Sequence, residues 1–329
     1  MLHKIFAAFL LVCSMSALAE AQYSVIHGYV IIPPYKHSDD FEVLLNIRDA
    51  QQTIAHANVS FTGEYMFRNL DSGDFDLVVR LDGFREARNP IRVSSAPFMS
   101  ANIILIPDFE SRRRLDTQAA YTDALLDEYA KALDETGRKH PDLAVTHLER
   151  VVKEIPDFYD AHINLGVVYQ DLFRRDEAEK EFRKAHELNA DSSRPLVALG
   201  RLFVVEAENE ILSASNLDVI QLKLAQAREV LNEAIVLDPK LASGFYYLGA
   251  VEFLSASYMD AEKQLNHTLE LDPDYYAAQV TLTNVYIEQS LWQSALDSVD
   301  TFLLRYPDSP FRQQAMSTRA AIIRRLQTR

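Results

Sequence analysis

The residues whose types suit catalysis are scattered along this chain and do not form recognisable constellations. None of the nine histidines pairs with another as His-Glu-x-x-His, the spacing that sets two imidazoles on one helix face beside a carboxylate base. No Gly-x-Ser-x-Gly turn is present to raise a serine nucleophile above a sheet. Gly244 and Gly249 have the outer spacing of a phosphate loop. Ala250 and Val251 follow them, where a Lys and a Ser or Thr must supply the cation and the metal ligand, so these glycines read as packing residues. The one cysteine, Cys13, lies in the N-terminal segment. A chain processed after it has no thiol for nucleophilic chemistry and no disulfide. Carboxylates are abundant, with 48 Asp and Glu against 33 Lys and Arg, giving a formal charge of −15. On helix faces they read as solvating groups, and that charge argues against a phosphate-backbone partner. No catalytic residue, metal ligand or cofactor site is therefore assigned, and a non-enzymatic protein is expected.

What the sequence does repeat is a packing grammar. Asn164-Leu165-Gly166-Val167-Val168-Tyr169 is followed by Ala178, Phe182 and Ala185. The pattern returns at Leu199-Gly200 with Phe203, Ala227 and Leu231, and at Leu248-Gly249 with Ala261 and Leu265. The repeat-closing positions Pro156, Ala190, Pro239, Pro273 and Pro307 stand 34, 49, 34 and 34 residues apart. The long interval is one period plus a 15-residue insertion near 207–221. Small residues let two helices approach, larger ones fill the gap to the next pair, and each proline ends a helix by removing a donor. The insertion carries aliphatics at helical spacing, which predicts two lengthened helices meeting near Ser213-Ala-Ser-Asn216.

This grammar resembles the tetratricopeptide repeat, with a Leu-Gly pair, an aromatic three residues on, a small Ala and a closing Pro. Five units are placed at 125–158, 159–192, 193–241, 242–275 and 276–309, with the repeat region running 117–309 and a capping helix at 310–329. The resemblance implies an all-α solenoid whose units stack because one hairpin cannot bury its own apolar face. It further implies that the first helix of each unit lines a concave groove. The candidate partner-binding positions are then Tyr129, Ile163, Val167, Arg201, Tyr246, Phe253, Val280 and Asn284. Only Arg201 and Asn284 remotely resemble the lysines and asparagines with which such repeats clamp a peptide carboxylate, so that clamp is not expected. The rest make the groove apolar, suited to an amphipathic or extended segment with hydrophobic anchors and some basic residues. In the alternative, the N-terminal domain, the cap helix or a neighbouring molecule covers these side chains.

Before the repeats the period falls to two. Val25, His27, Tyr29 and Ile31 alternate in a first strand. Runs at 41–47, 53–61, 75–80, 91–93 and 101–106 follow, separated by Gly, Asp and Asn turns, and 61–67 reads as a hairpin turning at Gly63. Six or seven such strands describe an all-β sandwich over 22–107. Gly28-Tyr-Val30, Gly63-Glu-Tyr-Met-Phe67, Gly73-Asp-Phe75 and Gly83-Phe84 resemble the carboxypeptidase regulatory-like family. The resemblance implies a transthyretin-like (prealbumin-like) sandwich serving as a structural or adhesive module, and no peptidase.

The N-terminus reads as a secretory signal over 1–19, with His3 and Lys4, an apolar core at 5–12 and Ala17-Leu18-Ala19 as a cleavage site. Ala19-Glu20-Ala21 is a second site. Val12 before Cys13 does not fit a lipoprotein signal, and the apolar stretch is too short to span a bilayer. Residues 108–116, with Arg112-Arg-Arg114, read as a linker, and the pieces on either side are expected to fold independently. The combined expectation is a multidomain scaffold, exported to the periplasm or secreted. It binds a protein or peptide, with no nucleic acid and no membrane span after cleavage. The alternative is a glycan-binding or accessory protein of an envelope enzyme or export system.

Overall fold

The computed structural model describes residues 24–32, 42–48, 52–93, 98–107, 123–213, 216–306, 309 and 311–327. The expected signal and linker lie outside the described residues. An N-terminal β region is followed by a run of antiparallel helices. The chain divides into two compact units, one of Gln22–Leu202 and one containing Phe203–Arg329, so the division falls inside a helix.

In the first unit, β1 (Ser24–Ile31) pairs antiparallel with β4 (Glu64–Leu70) and parallel with β8 (Phe98–Ser100) and β9 (Ile103–Ile104). A second sheet has the order β3-β2-β5-β7, from Gln52–Ala57, Glu42–Ile47, Gly73–Arg80 and Ala87–Val93. Short β6 (Phe84–Arg85) and β10 (Ile106–Pro107) pair with each other. The sheets share one core, in which Ile26, Val30, Tyr65 and Phe67 meet Val43, Leu45, Phe75, Leu77 and Val79. Alternation sets that face, since Val43 opposes Val79 and Leu45 opposes Leu77 across β2 and β5. At Gly28 a Cβ would lie 1.9 Å from the Ala101 carbonyl oxygen, so only glycine lets the two backbones meet. Pro90 sits in edge strand β7, where a missing ladder donor is tolerated.

One strand expectation is corrected. Gly63 does make a turn, at φ +83°, with its N–H bonded to Ser60 O (2.9 Å). The strands on either side do not form a hairpin: β3 lies in one sheet and β4 in the other, and the partner of β4 is β1. Strand β1 is buried on both faces: His27, Tyr29 and Ile31 are buried, and so are Ile26 and Val30.

The helices are α1 (Asp123–Gly137), α2 (Pro141–Glu154), α3 (Tyr159–Asp171), α4 (Arg175–Leu188) and α5 (Arg194–Leu212). They continue as α6 (Leu217–Leu237), α7 (Ala242–Leu254), α8 (Tyr258–Leu271), α9 (Tyr276–Glu288), α10 (Trp292–Arg305) and α11 (Arg312–Gln327). None of the described helices is long and apolar enough to cross a membrane. Pro141 starts α2 at a position whose N–H has no intrahelical partner. Within hairpins the small-to-large contacts set the spacing: a Cβ at Gly166 would fall 2.4 Å from Phe182, and one at Gly249 2.9 Å from Leu265.

Four turns between paired helices have the same construction. Lys139, Phe173, Ala256 and Ser290 all adopt left-handed φ of 57–61°. The following N–H reaches back five residues in each case, as His140 to Glu135 O (2.9 Å) and Ser257 to Glu252 O (2.8 Å). This is the Schellman closure of a helix end, made here without glycine. The insertion replaces that turn in the middle pair. There α5 and α6 extend to Leu212 and Leu217, and the Asn216 side chain caps α6 by accepting from Asp218 N (2.9 Å).

Candidate functional site: a main-chain clamp on the repeat helices

In the first unit, α1, α3 and the start of α5 turn one set of side chains toward turn 60–64 of the sheets. Ser60 shapes that turn by accepting from Thr62 N (3.3 Å) and Glu64 N (3.2 Å) through its hydroxyl. Arg194, in the first turn of α5, donates from Nε to Phe61 O at 2.7 Å. Asn164, on α3, donates from Nδ2 to Thr62 O (3.3 Å), Tyr129 Oη (2.7 Å) and Asp160 O (2.9 Å). The Arg201 guanidinium lies 5.9 Å from the Phe61 ring centroid, within cation–π range. Phe61 is itself buried.

The electrostatics rest on one buried pair. Arg194 Nη1 sits 2.7 Å from Asp160 Oδ1, and the side chains are 3% and 7% exposed. A buried cation next to the positive end of a helix is unfavourable alone, so the carboxylate is required to hold it. Burial first, then the Asp160 charge, drives the Tyr129 phenol far above its usual range and keeps it neutral. The ring of Tyr129 packs on Phe158 with centroids 4.7 Å apart. Beside this cluster the outer face of β1 meets the end of α1: a Cβ at Gly137 would lie 3.4 Å from His27 Cε1. His27 Nε2 and Glu64 Oε1 are 2.6 Å apart. The approach of Gly137 to His27 and Tyr29 covers the outer face of β1, which is why both its faces are buried.

This arrangement grips polypeptide. An amide and a guanidinium each take one of two consecutive carbonyls, and a second guanidinium covers the aromatic ring between them. The Asp160 carboxylate is taken up by its ion pair with Arg194. Among the described residues no group of three or more His, Cys, Asp or Glu is placed to hold a metal.

Of the sequence-predicted groove positions, Tyr129, Ile163, Val167 and Arg201 lie in this unit. Ile163 and Val167 are buried on α3, whose residues 159–169 are covered on every side, and Arg201 is half-buried. The other four lie in the second unit. Tyr246 packs against Tyr247 and Tyr275 at 4.9 Å each, and Phe253 joins the same cluster with Leu265 and Leu282. Val280 belongs to the cluster of Val299, Phe302 and Ile322, while Asn284 is half-buried. Tyr246, Phe253 and Val280 are therefore packing residues, because a first helix has neighbours on two sides and spends its large apolar groups on both. Asp160, Asn164, Arg194 and the turn Phe61-Thr62-Gly63 were missed. The one signal available was an arginine in the first turn of a helix, where the dipole disfavours it.

Comparison with known proteins bears on the helices. Residues 159–192 match the tetratricopeptide repeat family. No curated protein sequence matches the chain. Among solved structures, the chain is similar to a thermophilic TPR protein of Thermus thermophilus, TTC0263, with TM-score 0.52 and 20% identity. That match covers 60% of this chain and 98% of the other. It is also similar to a chain of the APC/C hetero-tetramer Cut9-Hcn1, with TM-score 0.51 and 16% identity, over 62% of this chain and 37% of that one. The helices after the β region thus have the tetratricopeptide-repeat fold.

Proposed function

We propose that the protein is a non-catalytic interaction scaffold of the cell envelope. It is exported on its N-terminal segment, periplasmic or secreted after cleavage, and holds a protein or peptide partner on the concave side of its repeats. Nucleic acid and cofactors play no part. The observation that supports this reading most is that the repeats already hold a polypeptide turn, through Asn164, Arg194 and Arg201. The likeness to a chain of the Cut9-Hcn1 hetero-tetramer favours the same class of work. The β region serves as a structural module that supplies that turn.

The test is affinity capture of the tagged chain from an envelope fraction, comparing wild type with Arg201→Ala and Asn284→Ala, both half-buried positions. One stoichiometric partner, lost in at least one variant while helicity is unchanged, is expected. Recovery of the chain in the cytosol with Met1 intact overturns the envelope assignment. Capture unchanged in both variants overturns the groove assignment.

A further inference from the structure

Helices α5 and α6 are longer than their counterparts, 19 and 21 residues against 13–15 in the other hairpins. The excess of α6 is at its beginning. Its buried residues start only at Leu224, and 217–223 contribute none. On α5 the last buried residue is Ala207, leaving 208–212 beyond it. At about 1.5 Å per residue the surplus of α6 projects roughly 10 Å past the packed part of its hairpin.

This projection is apolar where it ought to be solvated. Leu212, Leu217, Val219 and Leu222 are 50%, 63%, 37% and 57% exposed within eleven residues of chain. Elsewhere in the described helices exposed large apolar residues come one or two to a hairpin, as at Leu143, Phe173, Met259 and Leu304. Isolated apolar residues on a surface are ordinary, whereas a concentration of them marks a contact site. The charge of the projection is one-sided. Glu210 and Asp218 fall within 209–222, and that stretch contains no Lys or Arg. The nearest cation, Lys223, is committed to Glu206 at 2.7 Å and to the Phe203 ring at 5.2 Å.

A second copy would bring the same two acids, Glu210 and Asp218, and another chain of charge −15 against this surface, which opposes self-docking. A helix with an apolar stripe and basic flanks satisfies both features at once. We propose that the α5–α6 projection docks such a basic amphipathic helix of another protein. This surface is separate from the clamp at Asn164 and Arg194 and stands or falls without it.

The probe is an 18-residue synthetic helix with a leucine stripe and lysine flanks, titrated by fluorescence anisotropy into the purified chain. A matched helix with glutamate flanks is the control. Saturable binding of the lysine helix is expected, weakened by salt and at least tenfold weaker in Leu217→Ser/Leu222→Ser. Both positions are exposed, so the variant should keep the wild-type circular dichroism and urea transition. Val236→Ser/Leu304→Ser, which removes apolar groups 82% and 85% exposed outside the projection, should bind as wild type. Equal binding to wild type and to the Leu217/Leu222 variant overturns the proposal, as does equal weakening by both variants, or binding of the glutamate helix. Sedimentation showing wild-type dimers that the Leu217/Leu222 variant abolishes overturns it in favour of a second copy.

Discussion

Arg194 reaches 133 positions back along the chain to donate to the Phe61 carbonyl, and Asp160 holds it there from the opposite side. A repeat helix and a sheet turn thus share one buried charge. Replacing Arg194 with Met leaves Asp160 buried without a cation. The expected loss is about 3–5 kcal/mol by urea denaturation at pH 7. Asp160→Asn combined with Arg194→Met should cost clearly less than the sum of the single changes, because neither charge is then stranded. A loss below about 1 kcal/mol for Arg194→Met alone would mean the pair is solvated in solution.

Removing the β region should damage the first repeats. All of 159–169 on α3 is buried, and Thr62 and Phe61 supply acceptors to Asn164 and Arg194. A chain beginning at residue 123 is expected to bind ANS and lose part of its helical signal, with a broadened urea transition. A sharp transition of full helical amplitude would restore the expectation that the two parts fold independently.

Left-handed turn residues offer a gain in stability. Ala256 sits at φ 58°, a conformation that strains any residue with a Cβ, and Gly relieves it. Ala256→Gly should raise the thermal midpoint, with a stabilisation of roughly 0.5–1 kcal/mol. An unchanged or lower midpoint would show that the larger backbone entropy of the unfolded glycine chain cancels the relief.

Glu208 should make stability depend on pH. Burial alone raises its carboxyl to about 7 in the folded chain, from an ordinary value near 4.5. The folded state therefore prefers the protonated acid, so stability falls as pH rises from about 4.5 to about 7 and stays lowered above that. Glu208→Gln should be more stable than wild type at pH 8, on the order of 2 kcal/mol, with the difference vanishing below pH 4. Parallel pH profiles for the two proteins would rule this out.

The repeat was readable because its physics is local. Gly166 under Phe182 and Gly249 under Leu265 are contacts within one hairpin, so their spacing recurs in the sequence. The lengthened α5 and α6 were readable for the same reason, as aliphatics at helical spacing around a capping Asn216. The two-sided burial of β1 was not, because a period of two marks only one packed face, and the cover over His27 and Tyr29 arrives from Gly137 at the end of α1. Gly63 announced its turn correctly, but a turn residue does not state which strand its neighbours will pair with. The clamp was the least visible part. Its acceptors are main-chain carbonyls, which every residue carries.

Because Asn164 and Arg194 hold carbonyl oxygens, the identity of residue 62 places no demand on the contact, and Thr62 is only partly buried. A change at residue 62 would remove the hydroxyl that meets Ser60 Oγ at 2.7 Å, yet leave both carbonyls in place for Asn164 and Arg194. The joint therefore tolerates a change of side chain at residue 62 as long as the backbone path through Gly63, at φ +83°, is kept.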